Sequence, residues 1–245
     1  MSTASPTHSR AYYEAYSTHL IDNGYLRSTS DSCLFYNIIS PDRKVYVRIH
    51  VDDTLVAASR AEDIEEFKDA IRKRFRITVN EVADQHLGVN IKKNQDGSIT
   101  LTQSKMLKNI FDEFLDEAKT GRKRISVPMR TIIRRRTYLH LLGMLNYLLR
   151  SRPDFSTALA FASTKSVNPT ASDYQALLEV VYYLWGTKHL GLKIHPGDPL
   201  QPLTLRCYVD ASYLTHPDGR GHTGYCICLG SIGSFYLDII SHQYT

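Results

Sequence analysis

Two short strand-like runs, VYVRIHV and TLVAAS, are separated by nothing but Asp52 and Asp53. That spacing calls for a tight hairpin, yet a plain turn is served better by Asn-Gly or Asp-Gly than by two like charges. The repulsion needs an offset, and water or a divalent cation supplies one. On a straight strand the two carboxylates would point to opposite faces. At a bend, one can face a cleft while the other reaches the same ion obliquely. Two-metal phosphoryl transfer needs carboxylates placed so, because Mg²⁺ holds oxygen ligands at about 2.0–2.1 Å. A solvated surface turn is the plainer reading of the pair taken alone.

Helical and strand periods alternate around this hairpin. SRAYYEAYSTHLIDNGY repeats Tyr13, Tyr16, Leu20 and Ile21 at helical spacing and stops at Asn23-Gly24. CLFYNII and KVYVRIHV read as strands parted by Ser40-Pro41-Asp42. DIEEFKDAIRKRF puts Ile64, Phe67, Ile71 and Phe75 on one helical face, with Asp63 placed to cap its start. VNIKK and SITLTQ flank a turn from Asn94 to Gly97, and SKMLKNIFDEFLDEA is a helix ended by Gly121. Residues 121–136 read as a basic loop. YLHLLGMLNYLLRS, FSTALAFASTK and YQALLEVVYYLWGTK are further helices, the last opened by a capping box at residues 172–175. GLKIHPGDPLQPL is a linker rich in Gly and Pro. Beyond it the period becomes two, with Leu203, Leu205, Cys207 and Val209 on one face and Thr204, Arg206, Tyr208 and Asp210 on the other.

The 245 residues are 42% apolar and 22% charged, an ordinary globular balance with length enough for a core. No segment approaches the ~18 uninterrupted apolar residues of a membrane span, and MSTASPTHSR has no apolar core of a secretory signal. Cys33, Cys207, Cys226 and Cys228 show no C-x-x-C pair, so reduced thiols are expected, without zinc or disulfides. Net charge is +5, but its distribution says more. No acidic residue lies between Glu117 and Asp154. That interval holds Lys119, Arg122, Lys123, Arg124, Arg130, Arg134, Arg135, Arg136, Arg150 and Arg152. IRKRFRI adds a second basic cluster. Such an excess attracts a polyanion, of which nucleic acid is the commonest; a solvated basic face is the alternative.

In this order the segments resemble the reverse transcriptase of copia-type LTR retrotransposons over nearly the whole chain. His50-Val51-Asp52-Asp53 stands where that family has a Tyr-Val-Asp-Asp hairpin. RAYYEAYSTHLIDNGYLRSTSDSCLFY is similar to its R-x-W-Y…L…G-F-x-x-S-x-x-D-x-C-L-F segment. FKDAIRKRFRITVNEVADQHLGVNIKK is similar to its helix followed by a Leu-Gly strand. YLHLLGMLNYLLRSRPDF resembles Y-x-x-x-x-G-x-L-x-Y-L…R-P-D, and YYLWGTKHLGL resembles L-K-G-T…G-L. YVDASYL…HTGYCICLG resembles the Y-S-D-A-D-W…S-T-S-G-Y…L-G that opens the following RNase H domain.

The resemblance implies an α+β fold. Residues 1–100 would be the C-terminal part of a palm with a primer-grip-like hairpin, and 101–192 thumb and connection helices. A linker at 193–203 would lead to the first strands of an RNase H-like α/β domain at 204–245. The implied activity is RNA-directed DNA polymerase with RNase H, by nucleotidyl transfer on two Mg²⁺, with Mn²⁺ as the alternative. Asp52 and Asp53 would be catalytic and metal-binding in the palm, and Asp210 in the nuclease. Leu87, Gly88, Arg122, Lys123, Arg124, Arg134, Arg135 and Arg136 would contact an RNA/DNA template–primer duplex. The dNTPs, other Pol products and Gag are the remaining implied partners, with no membrane. The implied setting is intracellular, in cytoplasmic virus-like particles or the nucleus. His50 departs from the family Tyr while keeping strand parity with Asp52. The family's other palm aspartate and its Gly- and Lys-containing nucleotide segment have no counterpart in MSTASPTH, and the nuclease's Glu and second Asp would follow Thr245. The expectation is therefore an internal fragment, inactive alone; a nucleic-acid-binding remnant or a degenerate relic are the alternatives.

Overall fold

The computed structural model describes residues 6–80, 84–121, 135–197, 204–214, 219, 221–230 and 238–242. The chain divides into two compact units, Met1–Ala83 and Asp84–Thr245.

The first unit is a sheet with helices on one face. It runs α1 (Pro6–Asp22), β1 (Leu26–Arg27), β2 (Leu34–Ser40), β3 (Arg43–His50), β4 (Asp53–Ala58) and α2 (Ala61–Arg72), with the strands antiparallel in sequence order. The period of two in β3 is realised directly: Val45, Val47 and Ile49 are buried while Tyr46, Arg48 and His50 are exposed. The buried set packs with Phe35 of β2, Tyr16 and Leu20 of α1, and Phe67 and Ile71 of α2. Each such side chain contributes about 1.5–3 kcal/mol by leaving water. Two details differ from the sequence reading. Ile21 is half exposed, because the buried stripe of α1 runs through Tyr16 and Leu20 instead. Asp63 does not cap α2; Arg60 holds the N-cap position, and the buried Asp63 carboxylate accepts bonds from the Arg43 guanidinium. A buried charge needs a partner more than a helix end needs a cap.

The second unit begins with the expected hairpin rather than ending the first. β5 (Gln85–His86), β6 (Val89–Lys93) and β7 (Ile99–Thr102) are joined by β8 (Leu192–Ile194) into one antiparallel sheet in the order β5-β6-β7-β8. The linker expected at 193–203 thus starts inside a strand. Gly191 makes this pairing possible, since a Cβ there would stand 2.5 Å from the Leu101 carbonyl oxygen. The helices are α3 (Ser104–Gly121), α4 (Arg135–Leu148), α5 (Ser156–Ser163) after a 3-10 turn at Pro153–Phe155, and α6 (Ala171–Gly186). Ile110, Phe114, Tyr138, Leu141, Leu145, Leu148, Leu159, Leu177, Val181 and Leu184 form their shared core. The capping box of α6 is Thr170 with Asp173, two residues ahead of the expected start. Thr170 is simply the last residue in extended conformation.

Arg152 is 2% exposed, so it does not belong to the solvated basic tract in which the sequence placed it. Its guanidinium makes a two-pronged contact with Asp154 at 2.8 and 2.7 Å, and also donates to the Thr187 carbonyl and hydroxyl oxygens at 3.0 and 2.8 Å. The Arg-Pro-Asp turn is thereby tied to the end of α6. β9 (Thr204–Ser212), β10 (His222–Gly230) and β11 (Asp238–His242) form an antiparallel sheet in the order β11-β10-β9. Leu205 and Val209, on the apolar face of β9, are 69% and 67% exposed.

Candidate functional site

His50 pairs across from Asp53, which leaves Val51 and Asp52 as a two-residue hairpin loop. Val51 has φ 55°, while Asp52 keeps a negative φ, the sign pattern of a type II′ turn. Glycine is the usual residue at that first position. A β-branched side chain there is strained by about 1–3 kcal/mol. The register also corrects the expected parity: His50 shares a sheet face with Asp53, not with Asp52, because the turn interrupts the alternation between them. Val51, Asp52 and Asp53 are all exposed.

An aromatic layer lies beside this tip. Tyr12 and Tyr16 of α1 stack at 5.6 Å, and the Phe75 ring meets both edge-on at 6.1 and 5.1 Å. The Thr54 hydroxyl, next to the aspartates, lies 3.4 Å from the Tyr16 hydroxyl. Burial raises the pKa of Tyr12, and the negative charge of Asp52 raises it further, which puts that carboxylate within electrostatic reach of α1. The donors at the tip are carboxylate oxygens, the type a hard divalent cation takes. Among the described residues no group of three or more His, Cys, Asp or Glu gathers around a common point. Two carboxylates are what this hairpin offers.

Three non-glycine residues among those described have positive φ: Val51, Leu87 and Leu214. Each falls at a segment that the sequence singles out, the Asp pair, the Leu-Gly turn, and the stretch just after Asp210. The Asn94–Gly97 turn, in the hairpin read as primer-grip-like, places a glycine at its positive φ of 77°.

Leu87 and Gly88 form another two-residue loop, between the paired His86 and Val89, with φ of 49° and 76° as a type I′ turn requires. Tyr147 of α4 clasps it. The Tyr147 hydroxyl donates to the Leu87 carbonyl oxygen at 2.5 Å, and a Cβ on residue 88 would come within 2.6 Å of that hydroxyl. Arg150 lies 4.5 Å over the Tyr147 ring. Just beneath, buried Gln103 donates to the Tyr147 carbonyl at 3.1 Å and accepts from the Ser151 hydroxyl at 2.9 Å. Arg150 entered the sequence reading only as a member of the basic interval. The only prior signal for Tyr147 was its place in the Y-L segment, which reads equally well as core.

Of the basic candidates, Arg122, Lys123, Arg124 and Arg134 lie outside the described residues. Arg135 and Arg136, expected in a loop, open α4 and are exposed; Arg135 Nε donates to the Ser166 carbonyl at 3.0 Å. Cations in a first turn oppose the helix dipole by about 0.3–1 kcal/mol each, and α4 has no acidic residue there. Asp210 is exposed on β9, an edge strand, with Oδ1 accepting from the Ala211 amide at 2.9 Å.

A family model for "Reverse transcriptase (RNA-dependent DNA polymerase)" matches residues 7–131, a span that contains both strained hairpins. The chain belongs to the reverse transcriptase family. It is 28% identical over 237 residues to the retrovirus-related Pol polyprotein from transposon RE2 of Arabidopsis thaliana, covering 90% of this chain and 16% of that protein. The corresponding RE1 protein is 27% identical over 234 residues, 90% of this chain and 15% of its own length. The Pol polyprotein of transposon TNT 1-94 from Nicotiana tabacum is 25% identical over 233 residues, 88% of this chain and 17% of its own. This reverse transcriptase family member is thus of the copia type, and it spans about a sixth of the length of these curated relatives. No solved structure matches it significantly. Among the described residues no helix is long and apolar enough to cross a membrane.

Proposed function

We propose that this chain carries part of an RNA-directed DNA polymerase, with Asp52 and Asp53 as two of its metal-binding carboxylates. The observation that carries the reading is the exposed aspartate pair at a hairpin tip strained at Val51, inside the segment matched to the family. Asp52 and Asp53 would hold Mg²⁺, which when bound would neutralise charge on the phosphates of an incoming nucleotide. The chain's own groups then have simple tasks. The two carboxylates hold the cation at the tip, the Tyr12–Tyr16–Phe75 layer fixes that tip, and the clasped Leu87-Gly88 turn offers a rigid edge to a template–primer duplex. Arg135 and Arg136, with Arg122, Lys123, Arg124 and Arg134, would meet the duplex backbone. Asp210 is assigned, on the same reading, to the first carboxylate of an RNase H-like site. With two carboxylates at the tip, polymerisation requires a further acidic ligand, so this chain by itself is inactive or nearly so.

Primer extension on an RNA template tests the proposal, using the full chain, any complementing polypeptide, and Asp52→Asn as control. Loss of incorporation in the variant supports it; equal incorporation by both proteins sinks it. A second reading, duplex binding without chemistry, is favoured by the lack of a third ligand among the described residues. It expects no incorporation by either protein and an affinity that falls steeply with salt. Unchanged affinity after neutralising Arg134, Arg135 and Arg136 would count against it.

A further inference from the structure

Trp185 is the only tryptophan in the chain, and two lysines share its ring. Lys119 Nζ, from the last turn of α3, lies 4.8 Å from the ring centroid; Lys188 Nζ, just past the end of α6, lies 4.1 Å from it. Phe111 of α3 meets the indole edge-on at 5.3 Å and 88°, which fixes the plane of the ring. Both lysines are exposed, and no carboxylate among the described residues lies within ion-pair distance of either. Along α3, Glu117 accepts the Tyr174 hydroxyl and Asp112 pairs with Lys108, while exposed Asp116, three residues before Lys119, forms no ion pair with it.

Helix dipoles favour a lysine at each C-terminus, but they do not bring both ammonium groups onto one ring. Each gains about 0.5–1 kcal/mol from an exposed aromatic face. Against that gain stands the repulsion of two unneutralised charges held within about one Debye length of each other. A polyanion removes that conflict. A linear one fits best, because the sequence continues from Lys119 into Arg122, Lys123 and Arg124 and carries no acid before Asp154.

We propose that Lys119, Trp185 and Lys188 form a grip for a nucleic-acid strand, in which the ammonium groups contact backbone phosphates and the indole holds them in register. The choice of nucleic acid as the polyanion rests on the polymerase reading above; the site itself does not involve the aspartate pair. Being the sole tryptophan, Trp185 reports on its own occupancy.

The test is a fluorescence titration of the full chain, exciting the indole, with an RNA–DNA hybrid duplex in one arm and inorganic phosphate in the other. Emission should change and saturate with the duplex and stay unaltered with millimolar phosphate. A response to phosphate alone would overturn the strand grip in favour of a simple anion site. The Lys119→Gln, Lys188→Gln double variant changes only exposed side chains, and circular dichroism verifies its fold. Its affinity, read by anisotropy of labelled duplex, should fall about tenfold, and the slope of log K against log[salt] should shrink by nearly two, one for each phosphate contact. Trp185→Phe should keep the salt slope within one unit of the parent, since the lysines remain. Undiminished affinity and slope in the double variant overturn the grip alone. Failure of the unaltered chain to bind the duplex overturns the polymerase reading together with it.

Discussion

Asp52–Asp53 and Arg152–Asp154 are both pairs of charges close in sequence, and they have opposite fates. The first pair is alike in sign, exposed, and at the tip of a strained loop. The second is opposite in sign, and its almost wholly buried arginine bonds both the Asp154 carboxylate and Thr187. In water two charges 4 Å apart interact by only about 1 kcal/mol, whereas in a protein interior the same charges demand a partner. The like pair therefore persists only where solvent and ions can reach it, which leaves its oxygens available to a ligand. The opposite pair is committed to joining the Arg-Pro-Asp turn to the end of α6.

The strongest way to break this contrast is Arg152→Ala. It removes the buried guanidinium with its bonds to Asp154 and Thr187, leaving the Asp154 carboxylate to water and Tyr183, and should cost about 1.5–3 kcal/mol in a urea melt; a loss under 1 kcal/mol would show the pair to be no more structural than a surface contact. Acid should act next. Burial pushes the Asp154 carboxyl up, but bonds from Arg152 and Tyr183 outweigh it and hold its pKa below the ordinary carboxylate range. The folded state thus binds fewer protons than the unfolded one near that range. The stabilisation is present above the unfolded value of about 3.9 and lost as pH falls through the lower folded value. The stability gap between the parent and Asp154→Asn should accordingly narrow on acidification below about pH 4, and a constant gap would contradict the assignment. Tyr147→Phe should cost about 1 kcal/mol, the worth of one hydrogen bond, and should speed hydrogen exchange around the Leu87-Gly88 turn. At the aspartate tip the sign reverses. Val51→Gly should stabilise the chain by about 0.5 kcal/mol, as relief of strain exceeds the added backbone entropy. The smallest effect belongs to Asp52→Asn, a gain of a few tenths of a kcal/mol from lost repulsion, with added Mg²⁺ raising the melting temperature of the parent and not of the variant.

The two hairpins show how far the residues themselves could be read. VYVRIHV and TLVAAS gave their register through alternation, because β3 buries one face and exposes the other. Nothing in that alternation revealed the positive φ at Val51, since a valine in a strand-like run looks like any other strand valine. β8 was hidden for a related reason. LKI has no flanking period of its own and forms a strand only because β7 has a free edge beside Gly191. Arg152 was misread as a member of a basic surface, as a charge count along the chain carries no depth. Tyr147 and Leu87 lie 60 residues apart, and their hydrogen bond has no local signature.

Local order was thus largely determined by the sequence itself: where the main helices and strands run, β8 excepted, where the acids double, and where the basic tract begins. Those follow from short-range periodicity and charge, which any few neighbouring residues display. The tertiary structure alone decided which arginine is buried, which turn is clasped, and that two lysines meet on Trp185. Each of those depends on groups brought together by packing across long chain separations, and burial then fixes whether a charge serves the fold or remains free for a ligand.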